Sequence, residues 1–235
     1  MAEQCARLWA TQAPQEMVLV GRDAAKLQRV ATDLAVRSPG TRMTTLEADF
    51  LDAERIQAVA DQICSQGAVD IVLIAHGSLP SQADCQNDLK TCREALEINA
   101  LSPVLFAEAF IAPMQKANRG TLAVIGSVAG DRGRKSNYVY GAAKGLVDRY
   151  VQGLQHRLAS TGLKVVLIKP GPTDTPMTAR LKNTGTKLAS VEQVSGDIVR
   201  GIEQGRAVVY TPRIWAVVML VIANLPRIVF NRMDI

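Results

Sequence analysis

Short apolar segments alternate with amphipathic, helix-forming segments along the whole of this 235-residue chain. The apolar runs predict strands at residues 17–20, 43–46, 69–75, 120–125, 163–168 and 207–210. Helices are expected over the first residues, over the segment that follows Asp23 and ends at residue 36, and at 52–66, 86–115, 137–159 and 191–203. Strands that alternate with helices indicate βαβ units around a parallel sheet. We therefore predict an α/β fold with a doubly wound parallel sheet in three αβα layers. We expect one domain over residues 1–235 that ends in an apolar tail at 212–235.

The net charge and the cysteine pattern limit which partners, metals and cellular compartment we expect. The formal net charge of +5 is scattered along the chain and forms no basic stripe, so we expect no nucleic-acid partner. The four cysteines have no C-x-x-C spacing and no histidine at metal-ligand distance, which predicts free thiols, no metal and a cytoplasmic protein. The first residues read as an amphipathic helix, so we expect no signal peptide.

Polar residues and glycines follow most of the predicted strands. Because ligands bind at the carboxyl ends of parallel strands, these residues predict one site along one edge of the sheet. The segments concerned are Gly21-Arg22, Asp49, Ala75-His76-Gly77, Ser127 and Pro170-Gly171.

Tyr140 and Lys144 are four residues apart in a predicted helix and therefore share one face. An ammonium group beside a phenol is expected to lower the tyrosine pKa toward working pH, as a general acid requires. Ser127, thirteen residues before Tyr140 at a strand end, could hydrogen-bond the same substrate oxygen. A solvent-facing Tyr–Lys pair is the alternative for the two residues alone.

These motifs, with the Pro170-Gly171-Pro-Thr-Asp-Thr175 turn, resemble the short-chain dehydrogenase/reductase family from about Glu16 to the C terminus. The resemblance implies catalysis by Ser127, Tyr140 and Lys144, with Asn99 bending its helix and holding a proton-relay water. It also implies a cofactor site in which Lys144 binds the nicotinamide ribose. The implied cofactor-binding residues are Arg22, Asp49, Phe50, Ala75, Gly77, Tyr140, Lys144, Pro170, Gly171, Thr173 and Thr175.

Two features depart from the family pattern. The family's Asn-Ala-Gly reads Ala75-His76-Gly77 here, so we interpret His76 as a packing or ribose-contact residue rather than a catalytic base. The family's first strand and its glycine-rich pyrophosphate loop are absent before the first helix. That strand would lie between strands 17–20 and 69–75. We therefore expect Met1 to be an internal methionine and the chain to begin one strand upstream.

Arg22 stands where an acidic residue would accept the 2′-hydroxyl of NAD. A guanidinium group suits the 2′-phosphate of NADP, so NADP is the expected cofactor. A solvated turn residue is the alternative for Arg22, and the adjacent Asp23 keeps NAD open.

The tail contains ten uninterrupted apolar residues, 214–223, flanked by Arg213, Arg227 and Arg232. This run is too short to span a bilayer, so it predicts a core or dimer helix, or a helix lying at a membrane surface. The tail, with residues 75–77 and 129–144, resembles the decaprenylphosphoryl-2-keto-ribose reductase branch. That branch implies a keto sugar on a polyprenyl phosphate, contacted by Arg132, Arg134 and Lys135 unless these are solvated.

The expected function is NAD(P)-dependent reduction of a ketone to a secondary alcohol, with Tyr140 as general acid. The ketone is either a small molecule or lipid-linked; in the second case the protein would be peripheral on the inner face of the membrane. The alternatives are a silent oligomerisation or membrane-binding module, and a soluble reductase of a small ketone or acyl thioester. A homo-oligomer is expected from the resemblance.

Overall fold

The computed structural model describes residues 1–185 and 187–233. In this part of the chain six strands alternate with helices, as the apolar pattern predicts. The strands are β1 (Glu16–Gly21), β2 (Arg42–Glu47), β3 (Ile71–Ile74), β4 (Gly120–Ile125), β5 (Leu163–Pro170) and β6 (Val208–Thr211). The helices are α1 (Ala2–Ala10), α2 (Ala24–Arg37), α3 (Ala53–Cys64), α4 (Gln82–Asn87), α5 (Leu89–Leu96), α6 (Ser102–Ala117), α7 (Tyr138–Leu158), α8 (Val191–Glu203), α9 (Ile214–Asn224) and α10 (Arg227–Phe230).

The strands form a parallel sheet in two parts. One part pairs β1 with β2, and the other has the order β3-β4-β5-β6. Every pairing is parallel, so the carboxyl ends of all six strands point in the same sense. Among the described residues β1 and β3 are not hydrogen-bonded to each other, which leaves one edge of each strand unpaired. The predicted α/β fold with a parallel, helix-flanked sheet is confirmed, and the break lies where the family's first strand was expected.

Two apolar layers join the parts of the sheet. On one face, α1 buries Cys5 against β4, β5 and α8, and buries Ala6 and Ala10 against α2, β1 and β2. The C-terminal end of α1 is linked to both neighbouring helices: Arg7 in its last turn pairs with Asp33 of α2 at 2.9 Å, and Gln12, just after the helix, donates to Glu203 of α8 at 2.7 Å. On the other face one continuous core reaches from Val20 and Leu46 to the β3–β5 strands under α3, α6 and α7.

The helical stretch predicted over residues 86–115 is found as a continuous run, Leu89–Ala117, which is preceded by a break at Asp88 and contains a π-helical turn. Asp88 ends α4 and caps α5, since its carboxylate accepts hydrogen bonds from the amides of Lys90 and Thr91. A π-helical turn, Glu97–Leu101, then separates α5 from α6. Single-turn π segments are often found at functional sites, and this one contains Asn99. By length and composition Leu89–Ala117 could cross a membrane, but 61% of its most apolar stretch is buried within the protein, which identifies a core element.

The apolar tail folds into α9 and α10; α9 packs against β6, and Met219 is its one buried residue. The opposite face of α9 is uncovered: Ile214, Val217 and Leu220 are 60–66% exposed. Ile228 of α10 is also exposed. The run of apolar residues in the tail is therefore only partly explained by packing within the chain.

Candidate active site

Tyr140 and Lys144 lie one turn apart on α7, on the face that covers the carboxyl end of β4. The Lys144 ammonium is buried, donates a hydrogen bond to the carbonyl of Ile125 at 2.9 Å, and lies 5.9 Å from the centre of the Tyr140 ring. Burial lowers the pKa of Lys144 to about 8, and the carboxylate of Asp148 opposes this change. Lys144 is therefore a cation that is close to losing its proton at neutral pH.

The pKa of Tyr140 differs from the expectation. Burial raises the pKa of its phenol, and a hydrogen bond with Ser127 opposes this without reversing it. The lowering expected from Lys144 was therefore wrong, because burial of the phenol has the largest effect on its pKa and the group that opposes it is Ser127 rather than Lys144. A phenol that stays protonated at neutral pH is nevertheless suited to donate a proton.

Ser127 follows β4 and caps a 3₁₀ turn, Val128–Gly130, where its hydroxyl accepts a hydrogen bond from the amide of Ala129 at 3.1 Å. Ser127 is buried, and its side chain reaches α7 through the hydrogen bond with Tyr140. The structure therefore brings Ser127, Tyr140 and Lys144 together, as the sequence predicted.

Asn99 joins this group from the π-helical turn. Its amide nitrogen donates to the carbonyl of Ala95 at 2.8 Å, and its side-chain oxygen accepts from the backbone amide of Ser78 at 2.9 Å. Gly77 permits this approach, since a β-carbon there would lie 2.8 Å from the Asn99 oxygen. Asn99 thus fixes the loop after β3 beside Lys144.

His76 is held in an aromatic cluster. Its ring contacts Phe50 and Phe106, with centroids 4.6 and 5.3 Å away, and its Nε2 is 2.8 Å from the hydroxyl of Ser102. Burial, with a smaller effect of the cations Lys144 and Arg22, lowers the pKa of His76 to about 3. His76 is therefore neutral at physiological pH, which agrees with its interpretation as a packing residue.

The residues implied for the adenosine half of a cofactor lie after β1 and β2. Arg22 is exposed, and Asp23 beside it caps α2 by accepting from the amide of Lys26 at 2.9 Å. Asp49 is exposed and accepts from the amide of Leu51, whereas Phe50 is buried in the cluster with His76. The ring of Phe50 is thus occupied by packing, and adenine contact at this position remains a prediction.

The turn after β5 supplies the other implied cofactor residues. Thr173 is buried and donates its hydroxyl to the carbonyl of Gly171, while Thr175 forms a capping box with Thr178. Pro170 ends β5, and Gly171 lies under the indole of Trp215, since a β-carbon there would be 2.0 Å from its nitrogen. The tail helix α9 is therefore attached directly to this turn.

The basic loop expected to meet a phosphate is differently arranged. The Arg132 guanidinium donates to the carbonyls of Ile222 and Leu225 at 2.6 and 2.7 Å and stacks on the Phe230 ring at 3.8 Å. It thus satisfies the carbonyls at the C-terminal end of α9, so the expectation that Arg132 is available to a ligand phosphate was wrong. Burial lowers the pKa of Arg134.

Sequence reasoning missed a buried ionic group beneath the site. Lys169 of β5 pairs with Asp148 of α7 at 2.7 Å and also with Asp131, to which the Tyr210 hydroxyl donates at 3.1 Å. The side chains of all three charged residues are less than 10% exposed. Asp148 follows Lys144 by four residues, and that spacing was the only local signal.

An NAD(P) cofactor, which the family resemblance implies, fits these residues only in part. The buried Lys144 ammonium and the Tyr140 hydroxyl suit a nicotinamide ribose, and the exposed guanidinium of Arg22 suits a phosphate. Residues 1–20 contain no glycine, so this part of the chain provides no glycine loop for the pyrophosphate.

Comparison with known proteins is consistent with this geometry. The family model for short chain dehydrogenases matches residues 2–185. An uncharacterized oxidoreductase of Streptomyces coelicolor is 32% identical over 92% of this chain and 84% of its own length. One from Mycobacterium tuberculosis is 31% identical over 92% and 87%, respectively.

Two solved structures share the fold. A short-chain dehydrogenase from Sphingobium yanoikuyae in complex with NADPH superimposes with a TM-score of 0.82 at 22% identity, covering 95% of this chain and 91% of that one. A bulky-bulky ketone specific alcohol dehydrogenase from Comamonas testosteroni gives 0.79 at 20% identity, covering 95% and 90%. With the family model matching most of the chain and the Ser–Tyr–Lys residues assembled at one sheet edge, this protein belongs to the short-chain dehydrogenase family of oxidoreductases.

Proposed function

We propose that this oxidoreductase reduces a ketone to a secondary alcohol with NADPH, and that Tyr140 is the general acid. The observation that carries the proposal is the position of Tyr140, Lys144 and Ser127, which converge at the carboxyl end of β4 with Lys144 buried. A reduced nicotinamide supplies the hydride when it is bound. The residues of the chain then have to supply the proton and hold the substrate oxygen.

The proton steps follow from the side chains present. Ser127 donates a hydrogen bond to the ketone oxygen and polarises it. Tyr140, kept protonated by its raised pKa, gives its proton to the same oxygen as negative charge develops there. The ammonium of Lys144 stabilises the phenolate that remains until solvent restores its proton. Asn99 holds the backbone at Ser78, so that the wall of the site keeps its shape.

The test removes only the acidic hydroxyl. Tyr140→Phe should lower kcat for NADPH-dependent ketone reduction by about 100-fold or more, the usual contribution of a general acid. Tyr138→Phe is the matched control, because Tyr138 is 44% exposed and bonded to Gln86 at 3.0 Å. Full activity in Tyr140→Phe would refute the mechanism. An inactive wild type that binds NADPH would favour the silent module.

A second candidate concerns the substrate: a lipid-linked ketone such as a keto sugar on a polyprenyl phosphate, taken from a membrane surface. The supporting observation is the uncovered apolar face of α9, which is attached to the site through Trp215 and Arg132. The exposed Arg213, Arg227 and Arg232 flank it and would complement anionic headgroups.

Vesicle co-sedimentation tests this candidate. The protein should bind vesicles containing anionic lipid more strongly than zwitterionic ones, and Leu220→Glu should weaken binding at least tenfold. Leu89→Glu is the matched control, since Leu89 is 83% exposed on α5, outside the tail. Equal binding by both variants would contradict membrane contact through α9. A dimer in solution that Leu220→Glu dissociates would instead support a soluble reductase with a tail-mediated interface.

A further inference from the structure

Four charged side chains form a buried row below the candidate active site. Lys144 and Asp148 are one turn apart on α7, Lys169 reaches Asp148 from β5, and Asp131 binds the other side of Lys169 from the loop after Ser127. Two ammonium groups and two carboxylates therefore alternate, and their formal charges balance. All four side chains are almost fully buried. In the interior of a protein, a charge without a counter-charge is strongly destabilising.

Asp148 is the member of the row that contacts the catalytic segment. Its Oδ2 receives the Lys169 ammonium at 2.7 Å, and its buried Oδ1 has no hydrogen-bond partner. A β-carbon at Gly126 would lie 3.0 Å from Oδ1, and one at Gly130 would lie 3.0 Å from Oδ2. The carboxylate is thus seated directly against the backbone on both sides of Ser127.

We infer that Asp148 is a positioning residue for the reaction: seated between Lys144 and Lys169, it keeps the Lys144 ammonium charged while Tyr140 transfers its proton. The inference rests on the proposed function, because it names what maintains the proton state of that site. Asp148 touches neither substrate nor cofactor in this role and acts through Lys144.

The charged groups around Lys144 and Asp148 support this role. Burial pushes Lys144 toward its neutral form, and Asp148 counteracts that effect. Burial likewise raises the pKa of Asp148 to about 6, and Lys169 is the main group that favours its carboxylate form. Burial would lower the pKa of Lys169, but its bonds to Asp131 and Asp148 raise it above the usual range, so Lys169 stays charged.

The remaining titratable groups do not replace Asp148. His76 is neutral and Arg22 carries a guanidinium group, so neither supplies a negative charge to Lys144. Tyr140 is protonated, and Tyr210 donates its hydroxyl to Asp131. Among the described groups that act on Lys144, Asp148 therefore supplies the counter-charge.

The experiment measures the proton state of Lys144 directly. An NMR titration of ¹³C-lysine-labelled protein, assigned with Lys144→Met, gives the Lys144 pKa without cofactor or substrate. Asp148→Asn should lower that pKa by about one pH unit, the size expected for a buried charge nearby. The alkaline limb of kcat/KM for ketone reduction should move to lower pH by a similar amount, because the Tyr140–Lys144 couple then loses its first proton earlier.

A second variant separates charge from structure. Asp148→Asn/Lys169→Met also removes the surplus Lys169 ammonium, so it should recover stability lost in Asp148→Asn, whereas the Lys144 pKa and the alkaline limb should stay lowered because the counter-charge to Lys144 is still absent. A purely structural role for Asp148 would instead return the Lys144 pKa to its wild-type value together with the stability. Asp70→Asn, at a side chain that is 80% exposed, controls for loss of any carboxylate.

The outcomes distinguish the two proposals. An unchanged Lys144 pKa in folded Asp148→Asn, or a double variant in which the Lys144 pKa recovers together with the stability, would overturn the inference about Asp148. Absence of ketone reduction in the wild type, with the expected changes in the NMR titration, would instead overturn the proposed function and leave the charge relation between Asp148 and Lys144 intact.

Discussion

At the scale of single residues, the site depends on titratable side chains whose pKa is shifted by burial. Ser127, Tyr140 and Lys144 could be predicted because their spacing and strand-end position are local signals. Asp131, Asp148 and Lys169 could not be grouped in the same way. They come from a loop, a helix and a strand, and only the folded chain places them within hydrogen-bonding distance.

His76 gives the protein a pH-dependent stability that follows from its position. Its pKa is about 3 when folded and about 6.5 when unfolded, so the unfolded chain takes up the proton first. The contribution of His76 is therefore complete above about pH 6.5 and is lost as the pH falls toward 3. We expect it to lower the free energy of unfolding by about 2 kcal/mol between pH 7.5 and pH 5.

Urea unfolding at these two pH values checks this prediction. Carboxylates also titrate over this range, so the comparison is with His76→Gln, which should lose less stability on acidification even if it is less stable at pH 7.5. Equal losses in the two proteins would mean that His76 is accessible to protons in the folded state.

At the scale of elements, apolar runs predicted all six strands, but the lengths depended on tertiary pairing. Residues 69, 70 and 75 lie outside β3, because β3 pairs with β4 only over residues 71–74. The long helical stretch predicted over 86–115 is confirmed for the continuous run Leu89–Ala117, but its start was wrong, because Asp88 ends α4 and caps α5. Asn99 was expected to bend its helix, and a π-helical turn is found there.

The unpaired edges have a measurable effect on exchange. β4 is hydrogen-bonded on both sides, whereas β1 and β3 are bonded on one side each. We expect backbone amides of β1 and β3 to exchange with solvent at least tenfold faster than those of β4, because local opening at an edge disrupts fewer bonds. Hydrogen exchange with mass spectrometry of peptides covering Leu19, Leu73 and Ala123 measures this. Equal protection would mean that both edges are covered in solution.

At the scale of the whole molecule, the fold class and the family were readable from the order of the strands and motifs.

The expected cofactor can be tested by thermal unfolding with NADPH and with NADH. A ligand at 100 times its Kd stabilises the native state by about 2.7 kcal/mol, so NADPH should raise the Tm and NADH should raise it less. Arg22→Glu should reverse this order, whereas Arg29→Glu, at an exposed position on α2, should not. No rise with either nucleotide would contradict cofactor binding by this chain.

The division of the sheet also places the two halves of the site on different supports. Arg22 and Asp49 are carried by the β1–β2 pair, and Ser127 by the four-stranded part, with Tyr140 and Lys144 on the helix that covers it. A dinucleotide that contacted both halves of the site would bridge the break between β1 and β3 and link the two parts of the sheet. Part of the binding free energy would then serve to hold the two parts of the sheet together, and the measured affinity would include this contribution. Any change that loosened α1 from α2 or α8 would therefore weaken nucleotide binding, although α1 lies on one face of the sheet rather than at the site.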